Sequence, residues 1–312
     1  KKVLVVCTPG RELDARALAI ALGARATGVY PEARQHVPTS TVEDARRVAE
    51  GADAFLALGG GSAIGLAKAL ALGSPARVIA IPTTYSGSEM TPIHGTTEGG
   101  VKSTGRDEGV RPALVFYDPK RLAGLPRGTA IVSLWNAIAH AVEALWIDPE
   151  DRATHAIAEQ ALALLVQSLR SSTFGDDALH GAYLAGLAFA DAGSGIHHKL
   201  CHELGGMFNL PHAATHAVIL PHVVRFQRTR APQAMSALAR VLGVIDPAAA
   251  LAELAHATGA PTSLEEIGMP KDGIARMGSE IVEAAWQRRS KSTEGTRTLR
   301  GPEKVEGRGG FG

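Results

Sequence analysis

Residues 54–72, AFLALGGGSAIGLAKALAL, decide the fold. An apolar run of strand character, AFLAL, ends abruptly in three glycines and Ser62, and an Ala/Leu-rich helical pattern starts at once. A glycine turn between a strand and a helix does one of two things. It makes a tight connection, or it lets a phosphate reach the bare N–H groups at the helix N-terminus, where the dipole favours an anion. The spacing is not G-x-G-x-x-G, so the ordinary dinucleotide fingerprint is missing, and the turn alone leaves both readings open.

Outward from that unit, the first 120 residues repeat the same grammar. KVLVVCT (2–8) reads as a buried strand, ELDARALAIALGA (12–24) as its helix and ATGVY (26–30) as a second strand. TVEDARRVAEGA (41–52) reads as a helix with Thr41 as N-cap and Asp44 completing a capping box. RVIAIPTT (77–84) and ALVFYDP (113–119) are further strands, and IHGTTEGGVKST (93–104) is a hairpin turning at Glu98-Gly99-Gly100. This alternation predicts a mainly parallel sheet covered on both faces. Beyond Pro126 the period changes to that of long helices: 128–146, 153–170 and 177–194. The expected organisation is an α/β domain over 1–125, an all-helical domain over 126–287, and a polar, basic, glycine-rich tail over 288–312 that reads as disordered.

Composition narrows the function classes. Hydrophobic residues at 45% and charged residues at 20% suit a globular chain of 312 residues, and a net charge of +1 offers nucleic acid or a membrane surface no global attraction. Any anionic ligand must be held by local charge. No apolar run approaches the roughly 18 residues of a membrane span. Two cysteines, Cys7 and Cys201, imply no disulfide framework and point to a reducing cytoplasm, with Cys201 packing as a small apolar residue. The chain opens on Lys1 rather than methionine, which implies a trimmed chain.

Two further stretches carry chemistry. PTTYSGSEMT (82–91) is a second small-residue loop after a parallel strand, expected at the sheet edge where ligands of open α/β sheets bind. HHKLCHELGGMFNLPH (197–212) holds His198 and His202 four apart, with His212 following, and upstream Asn136 and His140 repeat that helical spacing. Convergent histidines suit a divalent metal, yet the place for an anionic ligand is taken by neutral Asn136, with Glu143 one turn beyond His140. The same imidazoles, with Lys199, equally make a cationic, proton-donating wall for an acidic substrate.

GGGS (59–62) with Lys68, PTT (82–84) with GSE (87–89), NAIAHAVEA (136–144) and GGMFNLPHA (205–213) together resemble the iron-containing, or group III, alcohol dehydrogenase superfamily, over residues 2 to 287. Within it the chain is most similar to the maleylacetate reductases. Asn136 stands where metal-dependent members carry aspartate, Gly65 where their glycine motif reaches an aspartate, and TTYSGSEMT is one residue shorter than their loop. The usual leading segment is absent, and the sequence after Gln287 is unlike the family's end.

The resemblance implies a dinucleotide-binding domain, a helical domain and a cleft between them. Gly59, Gly60, Gly61 and Ser62 would hold the pyrophosphate, and Thr83, Thr84 and Ser88 would run toward the nicotinamide. His140, His198 and His212 match the metal-ligand histidines, and His202 the additional cleft histidine. The implied reaction is reduction of the conjugated C=C bond of 2-maleylacetate to 3-oxoadipate by NADH or NADPH in aromatic degradation. It needs no obligatory metal, and the implied assembly is a cytoplasmic homodimer. A metal-dependent alcohol or polyol dehydrogenase is the nearest rival, and a dehydroquinate synthase-type lyase a more distant one. For the choice between NADH and NADPH, Glu32 is the acidic candidate after the second strand.

Overall fold

A computed structural model describes residues 1–273. The expected tail over 288–312, and the end of the helical segment beyond 273, lie outside the described residues. Five strands, β1 (Val3–Cys7), β2 (Ala26–Tyr30), β3 (Ala54–Gly59), β4 (Arg77–Pro82) and a later two-residue edge strand, form one parallel sheet. β5 (Ile93–Glu98) and β6 (Val101–Arg106) form the hairpin, its turn made by Gly99 and Gly100 at positive φ. The edge strand is β7 (Leu114–Val115), and the sheet order is β2-β1-β3-β4-β7.

Strand alternation sends Leu4, Val6, Phe55 and Ala57 to one core, shared with Ile64 and Leu66 of α3 (Gly61–Ala71). Val3, Val5, Leu56 and Leu58 go to the other, beside Leu18 of α1 (Glu12–Leu22). Both faces are therefore dry, which is why these strands read as continuous apolar runs. α2 (Thr39–Val48) differs from expectation at its start. Pro38 occupies the N-cap and Thr41 is buried inside the helix without a capping role, because the chain enters the helix three residues earlier than the Thr41–Asp44 pattern suggested.

From Arg127 onward the described chain is helical: α4 (Arg127–Ile147), α5 (Arg152–Ser171), α6 (Asp176–Ala192), α7 (Ile196–Phe208), α8 (His212–Gln227), α9 (Pro232–Leu242) and α10 (Pro247–Thr258). α4 is apolar all round, with Leu134, Trp135 and Ile138 fully buried. By length and hydropathy it passes for a membrane span, but 83% of that window is buried by its neighbours, as in the core helix of a bundle. Lys1–Pro270 make one compact unit, which contains both the sheet and this bundle; of the second unit, Lys271–Gly312, only residues 271–273 are described.

Candidate active site

The sheet register builds the first wall. Gly59 pairs with Pro82, and the Thr83 N–H donates to the Gly59 carbonyl at 3.1 Å, so both small-residue loops leave the sheet side by side. A Cβ on Gly60 would lie 2.7 Å from Thr84 Oγ1, so the two loops touch through a position that only glycine fits. Gly60 caps α3 without any side-chain acceptor, and Gly61 and Ser62 line the cleft, leaving the helix N-terminus open to an anion. These residues fit a pyrophosphate. Thr84 and Ser88 also line the cleft, whereas Thr83 is buried and does not line it.

Lys68 is no phosphate ligand. Fully buried on α3, its Nζ donates to the Ser88 carbonyl (2.7 Å), Thr91 Oγ1 (3.0 Å) and the Ile93 carbonyl (3.0 Å), pinning the second loop. Burial pushes its ammonium down to about 7, and nearby Glu89 opposes that shift.

The opposite wall comes from the helices. Asn136 and His140 of α4, His198 and His202 of α7, and His212 at the start of α8 all line the same cleft, as their spacing implied. Phe189 of α6 lies against both His140 (centroids 4.4 Å) and His198 (4.2 Å), while those imidazoles are 4.9 Å apart. Three nearly equal distances exclude a single column of rings, so Phe189 braces the pair from one side.

Glu143 faces away from the cleft. Its Oε1 accepts the His197 N–H at 2.7 Å, and its Oε2 accepts the His198 N–H and bonds His198 Nδ1. Burial raises its carboxyl to about 7 against the pull of these N–H groups. As a carboxylate it accepts a hydrogen bond from His198 Nδ1–H, which leaves His198 Nε2, without a partner, as a lone pair. Behind the wall runs a buried chain: His197 Nε2 to His216 Nδ1 at 2.7 Å, then His216 Nε2 to His212 Nε2 at 3.3 Å. Cys201 packs beneath it, fully buried.

Two expectations about charge are corrected. Lys199 is exposed on α7 and does not line the cleft. One residue beyond His198, it points about 100° away from the histidine face. The imidazoles are not cationic either: burial pulls His140 and His202 down to about 3, and holds His198 and His212 well below the usual histidine range. The cation of this cleft is Lys102, on β6, which the sequence pattern did not single out. His36, Ser86, His94 and Phe189 also line the cleft without sequence forewarning. Among the described lining residues there is no carboxylate.

Residues 1–119 match the iron-containing alcohol dehydrogenase family, and residues 130–293 match the C-terminal portion of the Fe-containing alcohol dehydrogenase family. The chain belongs to the iron-containing alcohol dehydrogenase family. Among members of that family, it is 46% identical to the maleylacetate reductase of Burkholderia cepacia over 282 residues, 88% of this chain and 80% of the relative. The maleylacetate reductase of Sphingobium indicum is 44% identical over 290 residues, 90% of this chain and 82% of the relative. The crystal structure of maleylacetate reductase from Rhizobium sp. strain MTP-10005 superposes with a TM-score of 0.82 at 37% identity, covering 98% of this chain and 86% of that one.

The family name implies iron, and the donor set tests that. Zn²⁺ or Fe²⁺ bonds of roughly 2.1 Å require ligand atoms within about 4 Å of one another. Among the described residues, the group of His, Cys, Asp or Glu that meets a 4.8 Å limit is His197, Cys201 and His216, not His140, His198 and His212. Asn136 donates from Nδ2 to the Ser86 carbonyl at 3.0 Å and offers only a neutral, unpartnered Oδ1. Glu143 is committed to α7. The cleft residues therefore do not fit a tight divalent site.

Proposed function

We propose that this chain reduces the conjugated C=C bond of 2-maleylacetate to 3-oxoadipate with NADH or NADPH, in the catabolism of aromatic compounds. The observation that carries the reading is a cleft lined, among the described residues, by neutral imidazoles and one ammonium, with no carboxylate, beside a bare helix N-terminus. The 46% identity to a maleylacetate reductase supports it. When bound, the reduced nicotinamide supplies the hydride. Gly60, Gly61 and Ser62 hold its pyrophosphate, and Thr84 and Ser88 line the path toward the histidines.

Hydride addition to the carbon β to the ketone leaves an enolate. Imidazole N–H groups of His140, His202 and His212 face the space where that charge develops and stabilise it. Neutral imidazoles suit this because they neither repel one another nor need counter-ions in a dry cleft. A dianionic substrate and its enolate raise the affinity of a neighbouring imidazole for a proton. His202 then takes up a proton in the complex and delivers it to the enolate α-carbon. His198, with Nδ1 engaged by Glu143, presents an acceptor and orients rather than donates.

Metal independence is part of the proposal, supported by Asn136 in the fourth position and by the engagement of Glu143. So are a homodimeric assembly and a cytoplasmic location. The deciding experiment follows maleylacetate-dependent loss of reduced-nicotinamide absorbance with each cofactor, with and without chelator, alongside metal analysis. Turnover that survives chelation is expected. No turnover sinks the reading, and turnover lost to chelator and restored by Fe²⁺ or Zn²⁺ sinks its metal-free part.

A further inference from the structure

We propose that Lys102 is the carboxylate-recognising residue of the cleft, binding one end of the dicarboxylate and setting the enzyme's preference for acidic substrates. The proposal rests on the reductase reading and deepens it by placing the anion subsite on the β5–β6 hairpin rather than on the helical wall.

The placement follows from register. Thr97 pairs with Lys102 and Gly95 with Thr104, so these four share one face of the hairpin, and Gly95, Lys102 and Thr104 line the cleft. Lys102 runs diagonally across Gly95: a Cβ there would lie 3.7 Å from Lys102 Cε. The stem therefore runs from the turn toward the hairpin base. β6 packs against α7 here, since a Cβ on Gly206 would lie 3.6 Å from Lys102 N, and α7 carries His198 and His202; Lys102 therefore lines the cleft at its histidine end.

Two lysines serve this cleft, and their states differ. Lys68 has all three N–H donors satisfied, two by the second loop and one by Ile93 at the start of β5. Lys102 has no hydrogen bond or ion pair among the described residues, although burial has stripped enough water to push it down to about 8. Lys102 is only half-buried, so its ammonium is open to the cleft with no counter-ion among the described residues, and a bound carboxylate would gain a charge-assisted hydrogen bond there. The helix N-terminus of α3 already offers an anion site to the pyrophosphate, which leaves the hairpin ammonium for the substrate.

Lys102→Met keeps the stem and deletes the charge. Its KM for maleylacetate should rise about 10- to 100-fold, the worth of a charge-assisted hydrogen bond, with the KM for NADH within about twofold of wild type. For a neutral ester of the substrate the two proteins should differ by no more than about twofold. Calorimetry with adipate, an inert six-carbon dicarboxylate, should show binding to wild type that is lost in Lys102→Met and kept in Lys102→Arg. A raised KM for NADH alone, or equal penalties for acid and ester, overturns the assignment. Adipate binding lost in the variant together with no wild-type turnover of maleylacetate retains the subsite and rejects the reductase reading. Unchanged maleylacetate KM in an active variant does the reverse.

Discussion

Glu143→Ala should cost this protein about 3–5 kcal/mol, and the figure can be assembled from the carboxylate's partners. Glu143 is fully buried on α4, yet its acceptors serve another helix. α7 begins after Gly195, which has no side chain with which to cap it. Glu143 does that work across the helix interface, taking the N–H groups of His197 and His198 at 2.7 and 3.4 Å. A Cβ on Gly195 would sit 2.8 Å from Glu143 Oε1, so the missing cap side chain is what admits the carboxylate.

Alanine leaves two buried backbone N–H groups and His198 Nδ1 without that partner, at about 1 kcal/mol each because removing a desolvated carboxylate offsets part of the loss, and lost packed volume brings the sum from about 3 toward 5 kcal/mol. Set against the roughly 5–15 kcal/mol of a typical fold, that is a large share. Glu143→Gln keeps the shape and one acceptor, so its cost should be about half. Urea unfolding followed by far-UV circular dichroism at fixed pH measures both. Hydrogen exchange at the His197 and His198 amides should accelerate in the alanine variant. An alanine variant within about 1 kcal/mol of wild type, with those amides still protected, would refute the cross-helix capping argument.

His197 has its folded-state pKa pulled from 6.5 down to about 3 by burial, so the unfolded chain binds the extra proton between those values. Its contribution to stability is therefore present above about pH 6.5 and lost as pH falls toward 3; His197→Gln should flatten the acid limb of a stability–pH curve by roughly 1.4 kcal/mol per unit, and an unchanged slope would show that His197 is not held neutral. Gly60→Ala places a methyl 2.7 Å from Thr84 Oγ1, so fluorescence titration should show NADH affinity falling tenfold or more; unaltered affinity would mean that the two loops do not jointly hold the pyrophosphate. Asn136→Asp supplies the missing anion but leaves His140, His198 and His212 too far apart, so calorimetry should detect no tight Zn²⁺ or Fe²⁺ binding; binding would mean that the three imidazoles do converge on one ion.

Much of the fold was legible because its signals are local. The apolar runs of 2–8, 54–58 and 77–82 carry strand chemistry, and the change of period after Pro126 marks the helices. The adjacency of the two small-residue loops could also be anticipated, since consecutive parallel strands end at the same edge. Asn136, His140, His198 and His202 were readable from i, i+4 spacing alone. Lys199 adjoins His198 in sequence but not in space, since one residue along a helix turns a side chain by about 100°. Thr41 is no cap because a Thr-x-x-Asp pattern also occurs inside a helix, here one whose start is set by Pro38.

Lys102, His36 and Phe189 had no such local signal: a hairpin, a loop after β2 and α6 each deliver one side chain to a point defined by the others. The charge state of the histidines was equally out of reach. Imidazole in water titrates near neutrality, and that value supported a cationic wall; only packing against α4, α6 and α8 removes the water that would stabilise the cation. By itself, then, the sequence determined the elements, the glycine turn and which residue types could meet, because backbone propensity and side-chain periodicity act over a few residues. The tertiary structure decided which of them meet, which lysine faces the cleft and how many protons the histidines hold, because solvation and Coulomb energy depend on everything packed around a group, whatever its distance along the chain.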